Sequence, residues 1–172
     1  DRGTCVLFGD GAGAAYLEES DKGIISVVQG SIGKKGMVLN CESRRTHNIF
    51  TEAGIEHDYL HMDGQEVYKF AVRQCPKCLL EALEKADMTA DDIDYFVLHQ
   101  ANVRIIESVA KRLKAPIEKF PMTLGYTGNM SAASVPVMLD SLVRDGGLKR
   151  GDKVAMSAFG AGLTYGAIVL EW

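Results

Sequence analysis

Tyr95-Phe96-Val97-Leu98-His99-Gln100-Ala101-Asn102-Val103-Arg104-Ile105-Ile106 is the stretch on which the fold turns. Residues 95–98 are aromatic, β-branched or aliphatic with no polar alternation, a pattern that suits a strand buried on both faces. The run stops at His99, and Asn102 then offers a side chain able to cap a helix. Beyond it Val103, Ile106, Val109, Ala110 and Leu113 recur at helical spacing, which leaves Arg104, Lys111, Arg112 and Lys114 on an outward, basic face. A buried strand passing through a polar turn into a helix is a βα unit, and sheets built from such units collect ligands at the carboxyl ends of their strands.

Upstream, Thr89-Ala90-Asp91-Asp92 has the form of a cap leading into that strand. Asp63-Gly64-Gln65-Glu66 has the spacing of an N-cap with a reciprocating acid, and Val67, Phe70, Ala71, Cys78, Leu79, Ala82 and Leu83 continue it as the apolar stripe of a long helix. Pro76 inside that stripe predicts a kink. Residues 31–62 lose all periodicity, and a stretch of that length in a compact domain predicts a functional loop or lid. Before it, residues 5–9, 14–18 and 24–28 read as strands joined by turns. Downstream, residues 117–120 read as a short strand, 125–128 as a turn-rich loop, 131–144 as a helix stopped by Gly146-Gly147, and 154–159 and 163–170 as strands flanking Gly160-Ala161-Gly162. The alternation predicts an α/β fold with a mixed five-stranded sheet flanked by helices.

The 172 residues, 47% hydrophobic and 24% charged, have the composition of one globular domain. No apolar run approaches the roughly 20 residues that cross a bilayer, and Asp1-Arg2-Gly3 resembles no signal peptide, so a cytoplasmic protein without membrane contact is expected. A formal charge of −4 argues against non-specific nucleic-acid binding, while a local basic face could still meet an acidic partner. Cys5, Cys41, Cys75 and Cys78 are expected as thiols. Cys75-Pro76-Lys77-Cys78 lies mid-helix, whereas a redox pair wants its first thiol at a helix N-terminus. Gly9-Asp10-Gly11-Ala12-Gly13 lacks the following helix that a phosphate loop needs. His57 and His61 have no third ligand in view, so no metal is expected.

His99-Gln100-Ala101-Asn102, followed about thirty residues later by Gly128-Asn129-Met130-Ser131-Ala132-Ala133-Ser134, resembles the two signature segments of the β-ketoacyl-acyl carrier protein synthase III family of the thiolase superfamily. The resemblance extends over essentially the whole chain, through Phe8-Gly9-Asp10-Gly11-Ala12-Gly13, Met62-Asp63-Gly64-Gln65-Glu66-Val67 and Phe159-Gly160-Ala161-Gly162. It implies that residues 1–172 are a C-terminal thiolase-like half-domain of an enzyme that starts fatty acid synthesis and acts as a homodimer. It also implies that the nucleophilic cysteine belongs to a first half upstream of Asp1, and the opening strand-like run without an initiator Met fits a fragment.

By the same resemblance, His99 and Asn129 stabilise the enolate formed when a malonyl thioester loses CO2. Two neutral donors aimed at the thioester oxygen suit that charge, and a short amide holds it with less slack than a lysine would. Phe159 borders the malonyl group, and the backbone N–H of Ala161 serves the oxyanion hole. Gln65, Tyr68 and Asn102 line the tunnel for the pantetheine arm of acyl-CoA, and Lys69, Arg104, Lys111 and Arg112 dock the acidic acyl carrier protein. No cofactor is implied. Two rivals are a thiolase-superfamily acyltransferase of secondary metabolism and, if the chain is complete, a non-catalytic interaction module.

Overall fold

The computed structural model describes residues 3–41, 50 and 59–172. In chain order these form β1 (Ile24–Ser31), a 3-10 turn (Gly33–Val38), β2 (Leu39–Asn40), β3 (His61–Met62), α1 (Gly64–Lys85), β4 (Tyr95–Leu98), α2 (Val103–Leu113), α3 (Leu124–Thr127), α4 (Ser134–Arg144), β5 (Lys153–Gly160) and β6 (Thr164–Glu171), with shorter 3-10 turns between. The main sheet runs β1-β6-β5-β4, antiparallel except for the parallel pair β4–β5, and β2–β3 is a separate ribbon. The mixed sheet flanked by helices is as expected, but among the described residues it has four strands rather than five.

The missing strands have physical reasons. Residues 14–18 lie exposed and, among the described residues, have no ladder partner, Tyr16 at 87% and Leu17 at 80%. A strand is stable only beside a neighbour that takes its backbone hydrogen bonds, so propensity alone does not form one. Residues 5–9 make a single parallel bridge, Phe8 to Asn129. Ile117–Lys119 closes a 3-10 turn after Pro116, with the Phe120 N–H donating to the Ile117 carbonyl. Phe120 still reaches the core, stacked on Phe96 with centroids 4.7 Å apart.

β4 is buried on both faces. Phe96 and Leu98 pack with Val28, Ala155 and Val169 under α1 and α2. Val97 points the other way, with Val154 against Met138 and Leu142 of α4. Burying side chains of this size contributes about 1.5–3 kcal/mol each. On α2 the buried residues are Ile105, Ile106, Val109, Ala110 and Leu113, while Val103, expected in the stripe, is exposed. The helix ends at Lys114 in left-handed backbone, φ 56°.

α1 begins as expected, with Asp63 Oδ1 accepting from Glu66 N–H at 3.1 Å. The reciprocal half is absent: the Asp63 N–H donates to the Val38 carbonyl, and the Glu66 carboxylate takes Lys35 and Lys69, each at 2.8 Å. α1 continues through the buried Pro76 as one helix. Among the described residues no helix is long and apolar enough to cross a membrane.

Truncating Phe96 to alanine is expected to cost roughly 3–5 kcal/mol, and Val103→Ala less than about 0.5 kcal/mol. Urea unfolding of the two variants checks this, and equal losses would contradict the assigned face of α2.

Candidate active site

Of the chain segments that line a cavity of about 670 Å³, three carry His99, Asn129 and Ala161. The first is the end of β4. His99 N–H donates to the Ser157 carbonyl at 2.9 Å, so the pairing with β5 continues one residue past the strand and holds the imidazole at its carboxyl end. Gln100 turns inward and is fully buried, its Nε2 donating to the Leu98 carbonyl at 2.9 Å and its Oε1 accepting from Thr123 N–H at 3.0 Å. Asn102 caps α2 by accepting from Arg104 N–H at 2.9 Å, and it also lines the cavity.

The second segment carries Asn129. Gly128 (φ 64°) and Ser131 (φ 51°) both adopt left-handed backbone on either side of it. That geometry folds the turn back on itself, so Asn129 Oδ1 accepts from Ser131 N–H at 2.9 Å. With its oxygen engaged, the side chain is left with the Nδ2 hydrogens to offer, and an amide so assigned is a donor. Ser134, fully buried at the start of α4, accepts the Met130 N–H at 3.2 Å and secures the same turn.

The third segment is the β5–β6 turn. Phe159 meets the His99 ring edge to face, centroids 5.3 Å apart, and Phe70 in turn meets Phe159 at 6.4 Å. Ala161 is exposed on the turn, and its carbonyl accepts from Thr164 Oγ1 at 3.0 Å. Tyr165 also faces the cavity. Its ring takes the space beside Gly30, where a Cβ would stand 2.6 Å from the hydroxyl.

His99, Asn129, Phe159, Ala161, Tyr68 and Asn102 all line this one cavity. Gln65 does not: it is exposed on the first turn of α1, while its neighbours Gly64, Val67 and Tyr68 form the wall. Arg104, Lys111 and Arg112 are exposed on α2, and among the described residues no ion pair engages them. Lys69 differs, being paired with Glu66. Glu107, also exposed on α2, interrupts the basic face. His57 lies outside the described residues, and among the described residues no group of three metal-ligating side chains occurs.

Burial without a charged partner depresses the His99 pKa from 6.5 to about 4. The ring is therefore neutral at pH 7 and donates from one nitrogen only. Burial pushes the Cys75 thiol up to about 12 and Cys78 to about 11, so neither supplies a thiolate at neutral pH, and no described cysteine lines the cavity. Sequence reasoning left Gln100 and Ser134 without roles. The signal for Gln100 was an amide set directly after a run with no exposed face.

Residues 83–172 match the family described as 3-oxoacyl-[acyl-carrier-protein (ACP)] synthase III C terminal, and residues 1–36 match 3-oxoacyl-[acyl-carrier-protein (ACP)] synthase III. The chain is 48% identical over 178 residues to a beta-ketoacyl-[acyl-carrier-protein] synthase III from Synechococcus sp. strain WH7803, covering 100% of this chain and 52% of the relative. It superposes on the crystal structure of 3-oxoacyl-[acyl-carrier-protein] synthase III from Aquifex aeolicus VF5 with a TM-score of 0.84 at 35% identity, covering 100% of this chain and 52% of that one. The priming beta-ketosynthase of the R1128 polyketide biosynthetic pathway gives 0.84 at 37% identity, with 99% and 52% covered. The chain thus spans about half the length of the relatives it matches.

The depressed His99 pKa sets a pH dependence. Unfolded chains take up a proton near pH 6.5 that the folded site refuses until about pH 4, so stability falls as pH drops through that window. Glu66 and Glu171, both held to about 2 by lysine partners, titrate below it. Between pH 7 and pH 5 the chain should lose roughly 2 kcal/mol more stability than a His99→Gln variant. Urea titrations at the two pH values measure this, and parallel losses would mean that His99 is solvated.

Proposed function

The chain belongs to the 3-oxoacyl-[acyl-carrier-protein] synthase III family, and from that premise we propose that it is the C-terminal thiolase-like half of a homodimeric, cytoplasmic condensing enzyme that begins fatty acid synthesis. The observation that carries the proposal is the meeting of two neutral donors, His99 and Asn129, on one largely apolar cavity.

The chemistry follows from that pair. A malonyl thioester, delivered on acyl carrier protein, breaks its bond to the carboxylate and releases CO2, and the bonding electrons pass onto the thioester oxygen as an enolate. The His99 N–H and an Asn129 Nδ2 hydrogen bond that oxygen. Their effect is large because the cavity wall excludes much of the water that would otherwise screen it. A protonated imidazole would hold the malonyl carboxylate as an ion pair and oppose its loss, so the neutral ring is the useful form.

The enolate carbon then attacks an acyl group carried as a thioester on a cysteine. The new C–C bond leaves an oxyanion whose charge the Ala161 N–H is proposed to take, and collapse expels the cysteine thiolate. The cysteine is proposed to precede Asp1 in a longer polypeptide. Support comes from relatives about twice as long and from the absence of any described cysteine on the cavity wall. No step requires a metal or redox cofactor.

The acyl primer is proposed to arrive from acyl-CoA, with the pantetheine arm passing Tyr68 and Asn102. Carrier-protein docking falls to Arg104, Lys111 and Arg112. Lys69 contributes less, because Glu66 already holds it. The similarity to a priming beta-ketosynthase of polyketide synthesis favours one second reading, a related acyltransferase with another primer. Rates with a series of acyl-CoA primers separate the two.

In the complete enzyme, His99→Ala and Asn129→Ala should each lower malonyl decarboxylation about 10²–10³-fold while cysteine acylation stays near its normal rate. A radiolabelled-CO2 release assay alongside acyl-enzyme trapping reads both steps, and lost acylation with intact decarboxylation would refute the roles. Arg104→Glu and Lys111→Glu should raise KM for malonyl-carrier protein more than for malonyl-CoA, with the difference shrinking in high salt. Equal rises for both substrates would assign the lysine and arginine to a solvated face.

A further inference from the structure

The glycine-rich segment 9–13 has no part in the chemistry above, yet it lies against the turn that carries Asn129. The Asn129 N–H donates to the Leu7 carbonyl at 2.9 Å, and its carbonyl accepts from Gly9 N–H at 3.0 Å. This is the parallel bridge centred on Phe8. A Cβ on Gly9 would stand 2.0 Å from the Thr127 carbonyl oxygen, a backbone atom rather than the far end of a flexible side chain. At every second residue the same closeness recurs: a Cβ at Gly11 would meet Met130 Sδ at 2.3 Å, and one at Gly13 would meet Pro136 Cγ at 2.5 Å. Alternate residues of an extended segment share a face, so the three glycines present one flat, side-chain-free edge to the turn.

We propose that residues 7–13 are a positioning strap for Asn129, with Gly9 its positioning residue. The strap occupies both backbone groups of Asn129, and Ser131 N–H occupies Oδ1, so Nδ2 alone remains to face the substrate. The proposal rests on the reading that the Asn129 amide stabilises the enolate. Positioning of this kind matters because a displacement near 1 Å costs about a hundredfold in rate.

The test is Gly9→Ala in the complete enzyme, with Asn129→Ala beside it. Gly9→Ala is expected to lower kcat for malonyl decarboxylation about a hundredfold with KM for the malonyl thioester and the rate of cysteine acylation unchanged. The Asn129 side-chain amide resonances should shift or broaden as well. Decarboxylation lost in Asn129→Ala but normal in a folded Gly9→Ala overturns the strap. Decarboxylation retained in Asn129→Ala overturns the enolate reading and the strap with it. Should Gly9→Ala not fold, hydrogen exchange on the unaltered enzyme decides: the strap requires the Gly9 and Asn129 amides to be protected alike, and exchange at the rate of exposed backbone overturns it.

Discussion

Four registered residue pairs, from Tyr95 with Val154 to Leu98 with Ser157, tie β4 to β5, and the bond from His99 N–H to Ser157 extends the ladder past the strand. A histidine placed on a free loop would swing. Here its backbone is part of the sheet, and the sheet is clamped between apolar layers by Phe96 on one side and Val97 on the other. β5 then turns through Gly160 to Gly162, so the same strand that fixes His99 also brings Phe159 to its ring and Ala161 to the cavity. Asn129 reaches the cavity independently, on a turn with two left-handed residues that the backbone of Leu7 and Gly9 and the buried Ser134 hold in place.

The same burial governs the electrostatics. Removing the imidazole from water without giving it an acid partner costs the charged form most, and the ring stays neutral. Asn129 has no charge to lose, and its oxygen is already taken. The two donors therefore suit a charge that appears during reaction better than one that arrives with the substrate.

Much of this was legible in the amino-acid order, for identifiable reasons. The strand at residues 95–98 showed because an unbroken apolar run has no face to give to water, and the helix from Val103 showed because its burial is periodic; both signals survive in one dimension. Asn102 showed as a cap because capping is local. What failed was non-local. Glu66 has the spacing to bond back to its cap, yet Lys35, thirty-one residues away, takes it instead. Residues 14–18 have strand composition and, among the described residues, no ladder partner. Gln65 sits one residue from the cavity wall, and helical phase turns it outward. Gly9, Gly11 and Gly13 invited comparison with a phosphate loop, whereas they lie close against the Thr127 carbonyl and the Met130 and Pro136 side chains, which no local pattern reveals.

The neutral state of His99 bears on the design of compounds for this cavity. A carboxylate or phosphate aimed at the imidazole would surrender its hydration and find no cation to replace it. An amide, ketone or sulfone oxygen would lose far less water on entering the cavity. An inhibitor for this pocket should therefore carry an uncharged acceptor at its centre.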